Sequence, residues 1–182
     1  MISIAEYSVD TCSKINTKIP PSIIDIGQYS IHGCASMANI VLTSSLIYAG
    51  NNAFEGCSNI KEVEFLNPET YFGFYAFHSC TNLEKTTFPK LTKRVYCNCF
   101  NNCTKLQEIE LPDSITEILG GAFWHSKELK KINIPESLKL ISERAFLDTQ
   151  ISISLIDLQI TIQQGSNLPI LTSQIYIACN AF

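Results

Sequence analysis

The chain has 182 residues, 46% apolar and 16% charged, with a formal net charge of −4 and eight cysteines. This composition suits one ordered domain and excludes a disordered chain or a small disulfide scaffold. The thirteen Lys and Arg are scattered, which removes the electrostatic term of nucleic-acid binding, and no apolar run approaches the roughly 18 residues of a membrane span.

Residues 1–18 read as a degenerate N-terminal cap or partial repeat. They carry Glu6 and Asp10 where a secretory leader needs a basic start and an unbroken apolar stretch. From Ile19 the chain repeats. AFEGCSNI (53–60), AFHSCTNL (76–83), CFNNCTKL (99–106) and AFWHSKEL (122–129) align without insertion, followed by AFLDTQ (145–150). Phe54, Phe77, Phe100, Phe123 and Phe146 are 23 residues apart, and Ile31 takes the slot one period earlier. Cys34, Cys57, Cys80 and Cys103 keep the same spacing, continued by Ser126 and Thr149. Residues 19–149 are therefore read as tandem 23-residue repeats.

Within each period, Leu106, Ile109 and Leu111 alternate with polar residues, as do Leu129, Ile132 and Ile134. That predicts a short strand with one inward side. Pro89, Pro112 and Pro135 lack the N–H that would continue a ladder and end it. A second stretch such as Ser114–Ile118 predicts a short strand on the opposite wall, and the Ala-Phe segment turns the chain into the next rung. Single rungs cannot bury their apolar side, so stability comes from stacking. Each aromatic of the Phe column adds about 0.5 to 1.5 kcal/mol beyond area burial, and truncation to Ala costs roughly 3 to 5 kcal/mol. The small slot before it holds Ala53, Ala76, Ala122 and Ala145, with Cys99 in the fourth unit.

CNCFNNC (97–103) is then mostly an overlay of two repeat columns: Cys103 is the column cysteine, Cys99 the small-slot residue, and only Cys97 has no scaffold duty. A straight column of thiols does not converge into the tetrahedron that zinc requires. Buried thiols are expected in preference to a metal site, a disulfide or a reactive thiol, and no cofactor is predicted. Gly120-Gly121 is read as part of a turn column with Gly27, Gly50 and Gly73 rather than a phosphate loop. No catalytic residue is assigned; a cysteine-histidine reading would need Cys97 beside His78 or His125.

Residues not dictated by the repeat point outward. One wall presents Asn39, Glu62, Lys85, Glu108 and Lys131, with Val41, Glu64, Thr87, Glu110 and Asn133 alongside. Alternating signs in the first column favour cross-rung pairing, while Glu64 and Glu110 are in excess. The opposite wall presents Asp25, Tyr48, Tyr71, Arg94, Glu117 and Leu140, whose tyrosines beside an arginine have interface composition, against the alternative of cross-strand tyrosine pairing with Arg94 stacked or paired to Glu117. Trp124 stands in a column that is otherwise polar and is read as an exposed anchor, against packing on a neighbouring rung. The candidate partner-binding residues are Tyr48, Tyr71, Arg94, Trp124, Glu64 and Glu110. Residues 150–182 form an irregular C-terminal repeat region with Asp157 as sole charge, where 170–182 reads as half a repeat displaced by a 13-residue insertion. A truncated end and edge-to-edge self-association through this region are expectations from it.

The recurring A-F-x-x-C-x-x-L-x-x-I-x-L-P-x-S-I-x-x-I resembles the BspA-like leucine-rich repeats, the Treponema pallidum class. The resemblance implies a β-rich, right-handed leucine-rich-repeat solenoid of parallel strands stacked in 23-residue rungs, with short turns or 3-10 segments and few or no long helices. It also implies a non-enzymatic protein-binding module, a surface antigen or adhesin whose partner is a host or matrix protein or a second copy. Without a recognisable leader a cytoplasmic location stays open, and with it an intracellular interaction scaffold or a repeat fragment without a dedicated surface ligand.

Overall fold

The computed structural model describes residues 2–8 and 18–151, and the backbone of 176–177. In chain order the strands are β1 (Ile2–Ile4), β2 (Ile23–Ile26), β3 (Asn39–Leu42), β4 (Tyr48–Ala49), β5 (Glu62–Phe65), β6 (Tyr71–Phe72), β7 (Lys85–Thr86), β8 (Arg94–Val95), β9 (Glu108–Ile109), β10 (Glu117–Ile118), β11 (Lys131–Ile132), β12 (Leu140–Ile141) and β13 (Tyr176–Ile177). All pairings are parallel, and no helix occurs among the described residues. The result is a solenoid of about six turns.

The front wall holds β3-β5-β7 and β9-β11; the back wall holds β1-β2-β4-β6 and β8-β10-β12-β13. Partners lie 23 residues apart from β2 to β12, as in Asp25 against Tyr48 and Glu117 against Leu140. At the beginning of the chain the step is 22, with Ile4 against Ile26. At the other end Leu140 meets Tyr176 and Ile141 meets Ile177, a step of 36 that matches the displaced half-repeat at backbone level. The rest of 152–182 lies outside the described residues, as do Cys12, Cys179 and the edge invoked for self-association.

Inward columns fill the core. Met37, Ile60, Leu83, Leu106 and Leu129 form one, and Ile40, Val63 and Ile109 another, with Thr86 in its third-strand slot. The Phe rings stack rung on rung at 5.2 Å (Phe54–Phe77), 5.4 Å (Phe77–Phe100), 5.7 Å (Phe100–Phe123) and 5.3 Å (Phe123–Phe146), with planes within 8°. The column predicted from spacing is thus continuous through the core, and the small slot is fully buried throughout.

The segments between walls are turns carrying two left-handed residues each. Tyr29, Asn52, Tyr75, Asn98, Gly121 and Arg144 form one column, and Gly33, Gly56, Ser79, Asn102, His125 and Asp148 the other, with φ between 52° and 70°. Only three of these twelve are glycine, and Asn and Asp tolerate this region better than most residues. The left-handed positions and the Phe between them donate forward to the next rung, as Tyr75, Phe77 and Ser79 do to the carbonyls of Cys97, Cys99 and Asn101 (3.2, 2.9 and 2.8 Å). On the walls every second amide donates backward, as from Tyr71 to Ile47 and from Gly73 to Ala49, in the slanted pattern of a parallel ladder.

One reading of the sequence is corrected. The column of Gly27, Gly50 and Gly73 continues not through Gly120-Gly121 but through Tyr96, Leu119 and Ser142, while Gly121 belongs to the left-handed column. The first three are glycine because a Cβ would lie 2.7 to 2.8 Å from a backbone nitrogen of the preceding rung. Gly50→Ala is therefore expected to cost about 1 to 3 kcal/mol in urea unfolding. Gly120→Ala, whose Cβ would meet only the Glu143 carbonyl at 3.5 Å, should be neutral or stabilising by up to about 1 kcal/mol.

Candidate functional site

The cysteine column is structural. Each thiol reaches back to the carbonyl of the preceding Phe slot: Cys57 Sγ to Ile31 O at 3.0 Å, Cys80 to Phe54 O and Cys103 to Phe77 O at 3.3 Å. Ser126 Oγ makes the same bond to Phe100 O at 2.9 Å, which explains how serine continues the column. Cys34, Cys57, Cys80, Cys99 and Cys103 are buried free thiols, and Cys97 is half-buried. Burial raises the Cys57 thiol to about 12 and pushes those of Cys80, Cys99 and Cys103 well up. Among the described residues no His, Cys, Asp and Glu gather as metal ligands.

The histidines turn to acids of neighbouring rungs. His78 Nδ1 lies 2.9 Å from Glu55 Oε1, and His125 Nδ1 lies 2.8 Å from Asp148 Oδ2. Glu55 also accepts from Asn52 Nδ2 at 2.6 Å. These pairs hold the turn surface together.

On the back wall three sequence candidates come together. Tyr48 and Tyr71 stack at 5.1 Å with planes 2° apart, and Arg94 Nε pairs with Glu117 Oε2 at 2.7 Å. Two aromatics that spacing alone did not single out join them. Tyr96 meets Tyr71 edge-on at 5.0 Å, and Phe74 meets Tyr96 at 5.4 Å. Tyr48 and Phe74 remain 40% and 39% exposed, so the cluster is a wet aromatic patch rather than core. Burial, reinforced by the phenols of Tyr96 and Tyr48, raises Tyr71 to about 12, leaving it a neutral hydroxyl. Tyr96 was visible in the sequence as the first residue with a side chain in a glycine column.

Trp124 stands apart from this patch, on the turn surface. Its ring stacks on His125 at 4.6 Å, Arg144 of the next rung lies over it at 5.4 Å, and its Nε1 is buried. The exposed-anchor expectation gives way to packing, because the longer side chain one rung on covers the indole.

Glu64 and Glu110 lie on the front wall, exposed and without an ion-pair partner among the described residues. The neighbouring column pairs as expected, Lys85 with Glu62 at 3.9 Å and Lys131 with Glu108 at 3.8 Å, both exposed and worth little. Between the two free glutamates Thr87 Oγ1 accepts from Phe65 N at 3.0 Å, and one rung beyond Glu110 Asn133 bonds both the N–H and C=O of Leu111. A groove of about 890 Å³ crosses this wall over Thr87, Phe88, Leu111 and Ile132, with Lys and Glu side chains along its rim.

The sequence profile of the BspA type leucine-rich repeat region matches residues 1–103 and 70–174, in six copies. A leucine-rich repeat protein from Bacteroides ovatus superposes with a TM-score of 0.81 at 26% identity, over 97% of this chain and 42% of that one. A leucine-rich repeat protein of T. pallidum gives 0.66 at 24% over 86% and 67%. A leucine rich cell surface protein from Faecalibacterium prausnitzii gives 0.62 at 21% over 84% and 51%. The chain thus spans less than half of the Bacteroides protein's length. No curated protein sequence matches it.

Three outcomes follow for the thiols. In native protein N-ethylmaleimide should modify Cys97, while Cys57, Cys80, Cys99 and Cys103 react only after unfolding, as read by peptide mapping; Cys103→Ser should cost under about 1.5 kcal/mol, since Ser126 makes the same bond. The thiol pKa near 9.0 in the unfolded chain is raised to about 12 at folded Cys57. Stability should be intact below pH 9 and fall as pH climbs toward 12, measurable as a declining urea midpoint.

Proposed function

Because the chain belongs to the BspA-type leucine-rich repeat family, we propose that it is a non-enzymatic protein-binding module of the adhesin or surface-antigen kind, which grips a host or matrix protein through its back wall. The observation that carries this is the exposed cluster of Tyr48, Tyr71, Phe74 and Tyr96 beside Arg94. None of these side chains is required by the inward columns of the repeat, and Tyr and Arg are the residues on which interface energy concentrates. Parallel pairing holds Tyr48 and Tyr71 at the rung spacing, and Arg94 and Tyr96 follow on the next rung, so a partner can gather contacts from successive rungs. The F. prausnitzii protein of the same fold is described as a cell surface protein, which fits this location.

The reading is tested in two steps. Protease shaving of intact source cells, followed with an antibody to the chain, should remove it before lysis; protection until lysis would reject the surface location. On immobilised extracellular-matrix proteins, the double variant Tyr71→Ala, Arg94→Glu should bind at least about tenfold more weakly than the parent, the loss of one hot-spot contact. Its circular dichroism should be unchanged, and Lys127→Ala should bind as the parent does. Equal retention of the double variant would exclude the back wall.

A further inference from the structure

The backward ladder of the walls is interrupted once on each side, and in both cases at the same junction. β6 is not paired with β8, and β7 is not paired with β9. One rung earlier Tyr71 N and Gly73 N donate to Ile47 O and Ala49 O at 2.8 and 2.9 Å, and one rung later Glu117 N and Leu119 N donate to Lys93 O and Val95 O at 3.3 and 2.9 Å. Arg94 and Tyr96, in the same slots, make no such bond back to Thr70 and Phe72. On the front wall Thr87 N reaches Val63 O at 3.1 Å, whereas Glu108 and Glu110 do not reach Glu84 and Thr86. The turns run through unbroken, with Tyr75, Phe77 and Ser79 bonded to Cys97, Cys99 and Asn101 and the Phe77 and Phe100 rings stacked at 5.4 Å.

The sequence supplies the cause. A side chain in the column of Gly73 and Tyr96 does not by itself break the ladder, since Leu119 N and Ser142 N still donate to Val95 O and Ile118 O at 2.9 Å; the bulk that does lies inside. Inside, Phe72 fills a slot held by Ala49 below and Val95 above, and its ring packs on Phe88 at 5.9 Å and Phe100 at 6.2 Å. The fourth rung therefore stands off the third on the walls while it is held at the turn.

We propose that the solenoid is two stacks of rungs, residues 18–91 and 92–151, hinged along the CNCFNNC turn, tied at the opposite edge by the chain at 91–92 and the Ser114 Oγ to Lys90 O bond of 2.8 Å, and able to part at the walls between those two edges. The back-wall patch lies across this hinge, since Tyr71 belongs to the first stack and Tyr96 to the second, and the front-wall groove crosses the other gap. A partner that grips both rings shifts the hinge toward closure, and closure strengthens that grip by the same factor. The hinge itself does not depend on what the partner is.

Amide exchange by NMR on the full chain provides the first test. Arg94, Tyr96, Glu108 and Glu110 should exchange at least about tenfold faster than Tyr71, Gly73, Thr87 and Leu119, their counterparts in neighbouring rungs. The second test is urea unfolding followed by two probes, Trp124 fluorescence in the second stack and maleimide labelling of Cys57 in the first. Their midpoints should differ, and Gly50→Ala should lower the Cys57 midpoint while leaving that of Trp124. Equal protection of the four amides, or midpoints that coincide and move together in the variant, would overturn the proposal.

Discussion

The phenylalanine slot joins each rung to the next in three ways at once, and the rest of the fold depends on it. The Phe77 ring stacks on Phe100, the Phe77 amide donates to Cys99 O at 2.9 Å, and the Phe77 carbonyl accepts the Cys103 thiol at 3.3 Å. All three contacts run between rungs, so none exists in an isolated repeat, and cooperativity passes from neighbour to neighbour. The same closeness explains the small slot beside the ring. Ser30, Ala53, Ala76, Cys99, Ala122 and Ala145 are completely buried there, where a longer side chain would hold the turns apart.

From that column the directions of the other backbone bonds follow. Turn amides point forward to the next rung, while the parallel walls pair each strand with its neighbour except between the third and fourth rungs. Buried backbone groups are thereby satisfied without any helix among the described residues. The left-handed residues make this possible, because alternating backbone hand turns the amides of Tyr75, Phe77 and Ser79 to the same side. The histidine–acid pairs of Glu55 with His78 and His125 with Asp148 then knit the outer surface of the same turns.

Most of this architecture was legible in the sequence because repetition averages out local ambiguity. Six copies of one pattern fixed the inward columns, the 23-residue register, the proline stops and the burial of the cysteines. Conformation that depends on the backbone rather than on residue type was not legible. Tyr75, His125 and Arg144 sit at φ near 60° although nothing in their chemistry announces it; the next rung's carbonyls impose it. The misplacement of Gly120-Gly121 has the same origin, since two adjacent columns require glycine for different reasons, close approach in one and left-handed φ in the other. At the candidate surface, Tyr48, Tyr71 and Arg94 could be read from their outward column. Phe74 could not, because it leaves the strand for the turn, Tyr96 was marked only by standing in a glycine column, and the cover that Arg144 gives Trp124 comes from the next rung.

Departures from a repeat are where a solenoid of this kind acquires individual character, and here they concentrate at one junction. Tyr96 replaces a glycine, Thr86 replaces an aliphatic, and Phe72 enlarges a column of smaller side chains. Thr86 satisfies itself by donating to the adjacent Thr87 carbonyl at 2.9 Å, a local bond that leaves its inward slot without the bulk of Val63 or Ile109. Tyr96 lies where the back-wall ladder is interrupted, and its ring meets Tyr71 and Phe74 to complete the exposed aromatic patch. A side chain too large for the repeat has to leave the core, and at Tyr96 the surface it reaches is the one best composed for recognition.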